Sequence, residues 1–203
     1  MKPGLSIGFL GLVVVALGCG NSPGSGSGSG GTGGSGVGTT GGASGQGGSS
    51  GAAGAGDCTP DYTCMPTAPD TGDYNADCVA RVNQFRACVC LPPLTRWTAG
   101  EACANQDAAY DPANGAHAGF IAGICTPEGF AQDECPGWPS ETQVVSGCLQ
   151  QMFNEGPPPS GPCTGSCYEA HGHFINMTNT SYTMVACGIA TVNGQMTAVQ
   201  DFQ

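Results

Sequence analysis

Twelve cysteines fall between positions 58 and 187 of this 203-residue chain: Cys58, Cys64, Cys78, Cys88, Cys90, Cys103, Cys125, Cys135, Cys148, Cys163, Cys167 and Cys187. An even count over so short a segment reads, in an oxidising compartment, as a framework of up to six disulfides. Twelve cysteines admit on the order of ten thousand pairings, so the connectivity stays open. A zinc cluster is the rival, but the close spacings are Cys88-Val-Cys90 and Cys163-Thr-Gly-Ser-Cys167, and no Cys-x-x-Cys pair occurs. The expected product is a small, cross-linked, exported body.

The thirteenth cysteine, Cys19, stands apart. Met1-Lys2 leads into an apolar run from Gly8 to Gly18, too short to span a bilayer and long enough for the centre of a signal peptide. The run closes on Ala16-Leu17-Gly18-Cys19, which resembles the bacterial lipobox, whose cysteine is diacylated and becomes the first residue of the mature protein. Residues 20–56 are almost all Gly, Ser, Thr and Ala and hold 18 of the 36 glycines. Such a stretch cannot bury a core and makes a flexible tether. The implied organisation is a signal peptide over 1–18, a lipidated Cys19 and tether over 19–56, and one compact domain over 57–203. It would be exported and lipid-anchored to the bacterial cell envelope, at the outer membrane or cell surface. The domain carries all fifteen acidic residues against Arg81, Arg86 and Arg96. That balance argues against nucleic acid as a partner and leaves the lipid anchor as the membrane contact.

Within the domain, apolar Val79, Val82, Phe85 and Val89 recur at helical spacing from Asp73 to Val89, and Leu91-Pro92-Pro93-Leu94 stops that helix. An Ala-rich helix is predicted from about Thr98 to Tyr110, broken by Asp111-Pro112. After a cysteine-bearing loop, Ser140 with Gln143 in capping-box spacing opens a third helix, which ends at Glu155 before Gly156 and three prolines. The period then changes. His173 to Met177 reads as a strand, and Thr183–Val192, Asn193-Gly194 and Gln195–Phe202 read as a hairpin. Read as extended, His171 and His173 share a face. The fold class is therefore α+β, with a small antiparallel sheet covered by earlier helices.

Several segments carry a resemblance. Gly172-His173-Phe174-Ile175-Asn176, followed by Tyr182 to Gly188 (YTMVACG), is similar to the C-terminal signature of the CAP superfamily, the cysteine-rich secretory, antigen 5 and pathogenesis-related proteins, also called SCP-like domains. Val82 to Arg86 with Leu91 to Trp97, Ala116-His117-Ala118-Gly119, Asp133-Glu134 and Met152-Phe153-Asn154-Glu155 resemble its other conserved segments in the same order. The likeness covers roughly residues 74–203. It departs at Cys135, where the family has asparagine, at Met152, where tryptophan is usual, and in the Cys- and Pro-rich insertion from Gly156 to Ala170, which would cover or narrow the cleft.

The resemblance implies an α-β-α sandwich, disulfide-rich, in which His117, Glu134, Glu155 and His173 meet in one cleft. His171 has no counterpart in the family, and an extended backbone would set it at the cleft edge. His117 and His173 would be the metal ligands, through neutral imidazoles, for zinc or another divalent metal, with the glutamates as further ligands or partners. The reading preferred from this likeness is a non-catalytic binding module for a lipid, sterol-like or protein ligand. A metal-dependent hydrolase, peptidase or esterase, is the alternative, with Glu134 and Glu155 as candidate catalytic residues, and a structural envelope protein with a vestigial cleft is the third. No Gly-x-Ser-x-Gly, His-Glu-x-x-His or phosphate-loop motif is present. The anchor is directly testable: the mature protein is expected to partition into detergent, and Cys19→Ser to release it or block its processing, whereas unchanged fractionation of that variant would remove the anchor.

Overall fold

The computed structural model describes residues 58–203; the expected signal peptide, lipidated Cys19 and tether lie outside the described residues. Helix α1 (Tyr74–Cys88) starts where Asp73 caps it, the carboxylate accepting from the Ala76 N–H at 3.1 Å, and buries Val79, Val82 and Phe85. The chain leaves through the two prolines because Asn83 clamps Leu94, donating to its carbonyl at 2.9 Å and accepting from its N–H at 2.7 Å. Arg86, 1 % exposed, donates to the carbonyls of Pro92, Met177 and Asn179, and so ties this exit to the far end of the chain.

A short strand β1 (Thr95–Arg96) precedes α2 (Glu101–Asn114). This helix does not break at Asp111-Pro112 as expected. It runs through Pro112 for one more turn because Ala104 and Ala108 are packed under the sheet, and because Asp111 is held by the Gly119 N–H at 2.8 Å. A single turn of helix, α3 (Ala118–Ala122), leads to β2 (Ala131–Trp138), a strand where a cysteine-bearing loop was expected. Ser140 caps the next helix as its sequence predicts, accepting from the Gln143 N–H at 3.2 Å. That helix continues as α4 (Glu141–Gln143), a π-helical turn (Val144–Cys148) and α5 (Leu149–Asn154).

The segment read as a strand at His173–Met177 is helical instead: α6 spans Ser166–Thr178. Phe174 and Met177, three apart, are both buried against the core, a spacing that serves a helix and not a strand. The hairpin is as expected, β3 (Met184–Val192) and β4 (Gln195–Phe202) joined by Asn193 and Gly194, both at positive φ.

The sheet has the order β1-β3-β4-β2 and is mixed, not purely antiparallel, since β1 pairs parallel to β3. Alternate residues of the hairpin bury opposite ways. Val185, Cys187, Ala198 and Phe202 join the larger core with α1, the α4–α5 helix and α6, while Ala186 and Val199 join a smaller one with Trp97 and α2. Gly188 permits the second contact, because a Cβ there would stand 2.2 Å from the backbone of Ala104.

All twelve cysteines of the domain are disulfide-bonded. Among the pairs are Cys64–Cys88, Cys78–Cys187, Cys103–Cys125, Cys135–Cys148 and Cys163–Cys167. No described helix is long and apolar enough to cross a membrane. Alkylation of the denatured, unreduced protein should therefore add no label at these twelve positions by peptide mass, and two or more labelled thiols would contradict the framework.

Candidate functional site

Strand β2 is an edge strand, and its polar residues lie on both faces of the sheet. Gln132 and Glu134 point one way, toward α2 and α3, and Asp133 points the other, toward α6. A partly open cleft lies at this edge, lined by His117, Gln132, Asp133, Tyr168, Glu169, Gly172, His173 and Asn176, with a volume of about 50 Å³. His117 and His173, 56 residues apart in the chain, thus face one cleft.

Each histidine is oriented through Nδ1. His117 sits in left-handed backbone at φ 58 before α3, and its N–H donates to Glu134 Oε2 at 2.8 Å. Its Nδ1 lies 3.0 Å from Gln132 Oε1. Gln132 cannot be turned round, because its amide nitrogen already donates to Asp107 and Asp201 at 3.1 and 3.0 Å. The oxygen therefore faces His117, which must present Nδ1–H and leaves Nε2 as the open nitrogen. Burial first, with the nearby His173 adding to it against the Gln132 bond, holds His117 below its ordinary pKa, so this ring is neutral.

His173 is held by Glu155, which accepts from Nδ1 at 2.5 Å and from the backbone N–H of His173 and Phe174 at 3.0 and 3.2 Å. Burial alone would depress this histidine. The Glu155 hydrogen bond and the charges of Asp133, Glu155 and Glu134 outweigh it and raise the pKa to about 9. That holds His173 as an imidazolium at neutral pH, so a metal there would have to displace its proton. Glu134, 6 % exposed, is pushed up to about 7 by burial and by Asp111.

His171 does not line the cleft edge. Two residues apart on a helix, His171 and His173 point in different directions, and His171 Nδ1 meets the carbonyls of Glu155 and Gly156 at 2.8 and 3.0 Å. It closes the end of the α5 helix. Sequence reading missed Gln132, Asp133, Tyr168 and Asn176. Asp133 Oδ1 accepts from the Asn176 side-chain amide at 2.8 Å, Tyr168 donates to Asn176 Oδ1 at 3.3 Å, and Asp133 Oδ2 is buried without a partner. The segment from Gly156 to Ala170 contributes Tyr168 and Glu169 to the lining of the cleft.

A second group can hold a metal ion. Donor atoms of Cys103, Asp107, Cys125 and Glu128 all lie within 4.8 Å of one another. Cys103 and Cys125 are bonded to each other, so the carboxylate oxygens are what this group offers a cation. The chain matches no protein-family model and no curated protein.

Burial raises Asp133 to about 7, and its proton is then held more tightly in the folded chain than in the unfolded one, where 3.8 is ordinary. Such a carboxyl stabilises the fold most below its unfolded pKa and loses that contribution as pH climbs through about 7. His173 loses its contribution between about 6.5 and about 9, so both slopes share a sign. The melting temperature in chelator should fall from about pH 5 to about pH 8, and Asp133→Asn should flatten the acidic part of that fall. A melting temperature that rises over the interval contradicts the assignment.

Proposed function

We propose that the domain is a CAP-like binding module and not a hydrolase. The single observation that carries this reading is the state of the two glutamates. Glu155 accepts three N–H groups at once and is spent in building the cleft, and Glu134 is turned to the His117 backbone. A general base must be within reach of the proton it takes. Glu155 is committed to the imidazole and backbone of its own fold.

What the cleft offers a ligand is a matched pair: an imidazolium N–H on His173 and an imidazole lone pair on His117. A polar terminus that both accepts and donates, such as that of a protein partner, suits this pair. A volume of about 50 Å³ is far smaller than a sterol or acyl chain needs, so a protein ligand that reaches in with one polar group is favoured over a lipid one. The two buried faces of the hairpin support the α-β-α sandwich order that the CAP resemblance implies. Export and a lipid anchor at Cys19 complete the proposal, with the disulfides suited to an oxidising envelope.

The donor set also fits a divalent metal such as zinc, since both Nε2 atoms are open and both Nδ1 atoms are held by neighbours, the arrangement in which imidazoles ligate. Bound there, a metal would add Lewis acidity to the cleft. His173 must first give up its proton, so zinc affinity of the full chain should rise about tenfold per pH unit between about 6.5 and about 9. His117→Ala and His173→Ala should each abolish the binding by calorimetry, while His171→Ala should leave it nearly intact. Peptidase and esterase assays with and without chelator decide between readings: activity that chelator removes and Glu134→Gln abolishes would overturn the binding reading.

A further inference from the structure

Among the described residues that line the histidine cleft, only Asp133 carries a buried side-chain oxygen with nothing to bond. The residue is 0 % exposed; Oδ1 accepts from the Asn176 side-chain amide at 2.8 Å, and Oδ2 has no partner. That pairing cannot be reversed. Asn176 Oδ1 already accepts from the Tyr168 hydroxyl at 3.3 Å, which leaves the amide nitrogen to face Asp133. A buried carboxylate oxygen without a donor is costly, and the arginines of the domain cannot supply one. Arg81 is spent on Pro66, Gln84 and Gln150, Arg86 on three carbonyls, and Arg96 on Asp73 and Glu101. The donor that Asp133 needs is left for whatever enters the cleft.

With Asp133 the cleft presents one donor and two acceptors. His173, its Nδ1–H given to Glu155, has Nε2–H to donate; His117, its Nδ1–H committed to Gln132, has an Nε2 lone pair; Asp133 has Oδ2. A carboxylate would satisfy His173 but meet a lone pair and a second carboxylate, with Glu169 on the same lining to repel it. An ammonium or guanidinium brings N–H groups for both acceptors but nothing for His173, whose charge it would face. A hydroxyl has one proton for two acceptors. A primary carboxamide has one carbonyl oxygen and two N–H bonds on one nitrogen, and it matches the three groups one for one. Its few atoms suit a cleft of about 50 Å³. The Tyr168 ring packs on Gly172, where an added Cβ would stand 3.2 Å from it, and the two give the cleft a flat side for a planar group.

We infer that the cleft recognises a primary carboxamide, the end of an Asn or Gln side chain projecting from a protein partner, with the amide oxygen on His173 and its two N–H groups on His117 and Asp133. The inference rests on the binding reading above and names the group that is bound. A backbone amide carries a single N–H and leaves one acceptor unmatched, so the cleft reads a side chain and not an extended main chain. Asp133 sets the specificity, because it is the acceptor that separates an amide from the isosteric acid.

The full chain, in chelator at about pH 8, above the Asp133 value and below that of His173, is titrated with acetamide, N,N-dimethylacetamide, acetate and methylammonium while the histidine ring signals are followed by NMR. Acetamide should shift the His117 and His173 signals saturably in the millimolar range, and the other three should bind about tenfold or more weakly. Blocked Gly-Gln-Gly should act as acetamide does and blocked Gly-Glu-Gly should not; a response to acetamide with none to the glutamine peptide would overturn the protein source. In Asp133→Asn, Asn176 keeps the new oxygen on its own side and a donor replaces Oδ2, so acetamide should weaken about tenfold or more while acetate gains, an exchange that a merely structural loss would not produce. Tighter binding of acetate or methylammonium to the unmodified chain, or no saturable shift by acetamide up to about 100 mM, overturns the amide assignment and leaves the binding module standing. Ammonia released from acetamide would instead overturn the binding module.

Discussion

The bond between Cys78 in α1 and Cys187 in β3 is the constraint on which the rest of the domain hangs. Both residues are wholly buried, and the loop it closes spans 109 residues, taking in α2, the cleft, β2 and α6. On the chain-entropy account, closing a loop of that size is worth about 4.7 kcal/mol by restricting the unfolded chain. The remaining bridges are local. His117 lies within the Cys103–Cys125 loop, Glu134 adjoins Cys135 with its bond to Cys148, and Tyr168 follows Cys163–Cys167. Cys78–Cys187 joins helix to sheet across the chain and Cys135–Cys148 does so between neighbouring segments, while the short bridges hold each cleft-bearing segment near its place.

Against that covalent frame, the electrostatics are lopsided. Fifteen acids face three arginines in the domain, and the two most buried arginines serve chiefly the main chain and neutral amides. Burying acids beside one another without guanidinium partners raises their pKa values, and Asp107, Asp133, Glu134 and Asp201 all move in that direction. Gln132 is the junction. Its one amide orients His117 with the oxygen and holds two carboxylates with the nitrogen, so the charge on one side and the ring on the other are set together.

Local chemistry was legible in the sequence where a single residue decides it. Asp73 and Ser140 cap helices, and Asn193-Gly194 turns the hairpin, because each acts on backbone groups within three residues. Of the four residues expected in one cleft, His117 and His173 line it, while Glu134 and Glu155 are not in its lining and hold the backbone N–H groups of those two histidines. What could not be read depends on partners far along the chain. Helix α6 contains Gly172 and a β-branched, aromatic run, and its N–H groups at His173 and Phe174 are engaged by Glu155 from another element. Strand β2 is polar at the positions that are buried, since Gln132, Asp133 and Glu134 bond to residues of α2, α6 and β4 and to His117 and do not follow an apolar alternation. Nor does any local pattern join Asp107 to Glu128 and Asp201.

The π-helical turn at Val144–Cys148 gives one helix two independent phases. The part before it is set by the Ser140 cap, and the part after it must deliver Glu155 to the side of α6. A uniform α-helix advances 100° per residue and would fix one direction from the other. The wider turn takes in one extra residue and resets the angle between them. It works as a shim: losing a single residue within 144–148 would swing Glu155 about a quarter-turn off the axis it now serves, and the position of His173 is in that sense encoded twenty-five residues before it.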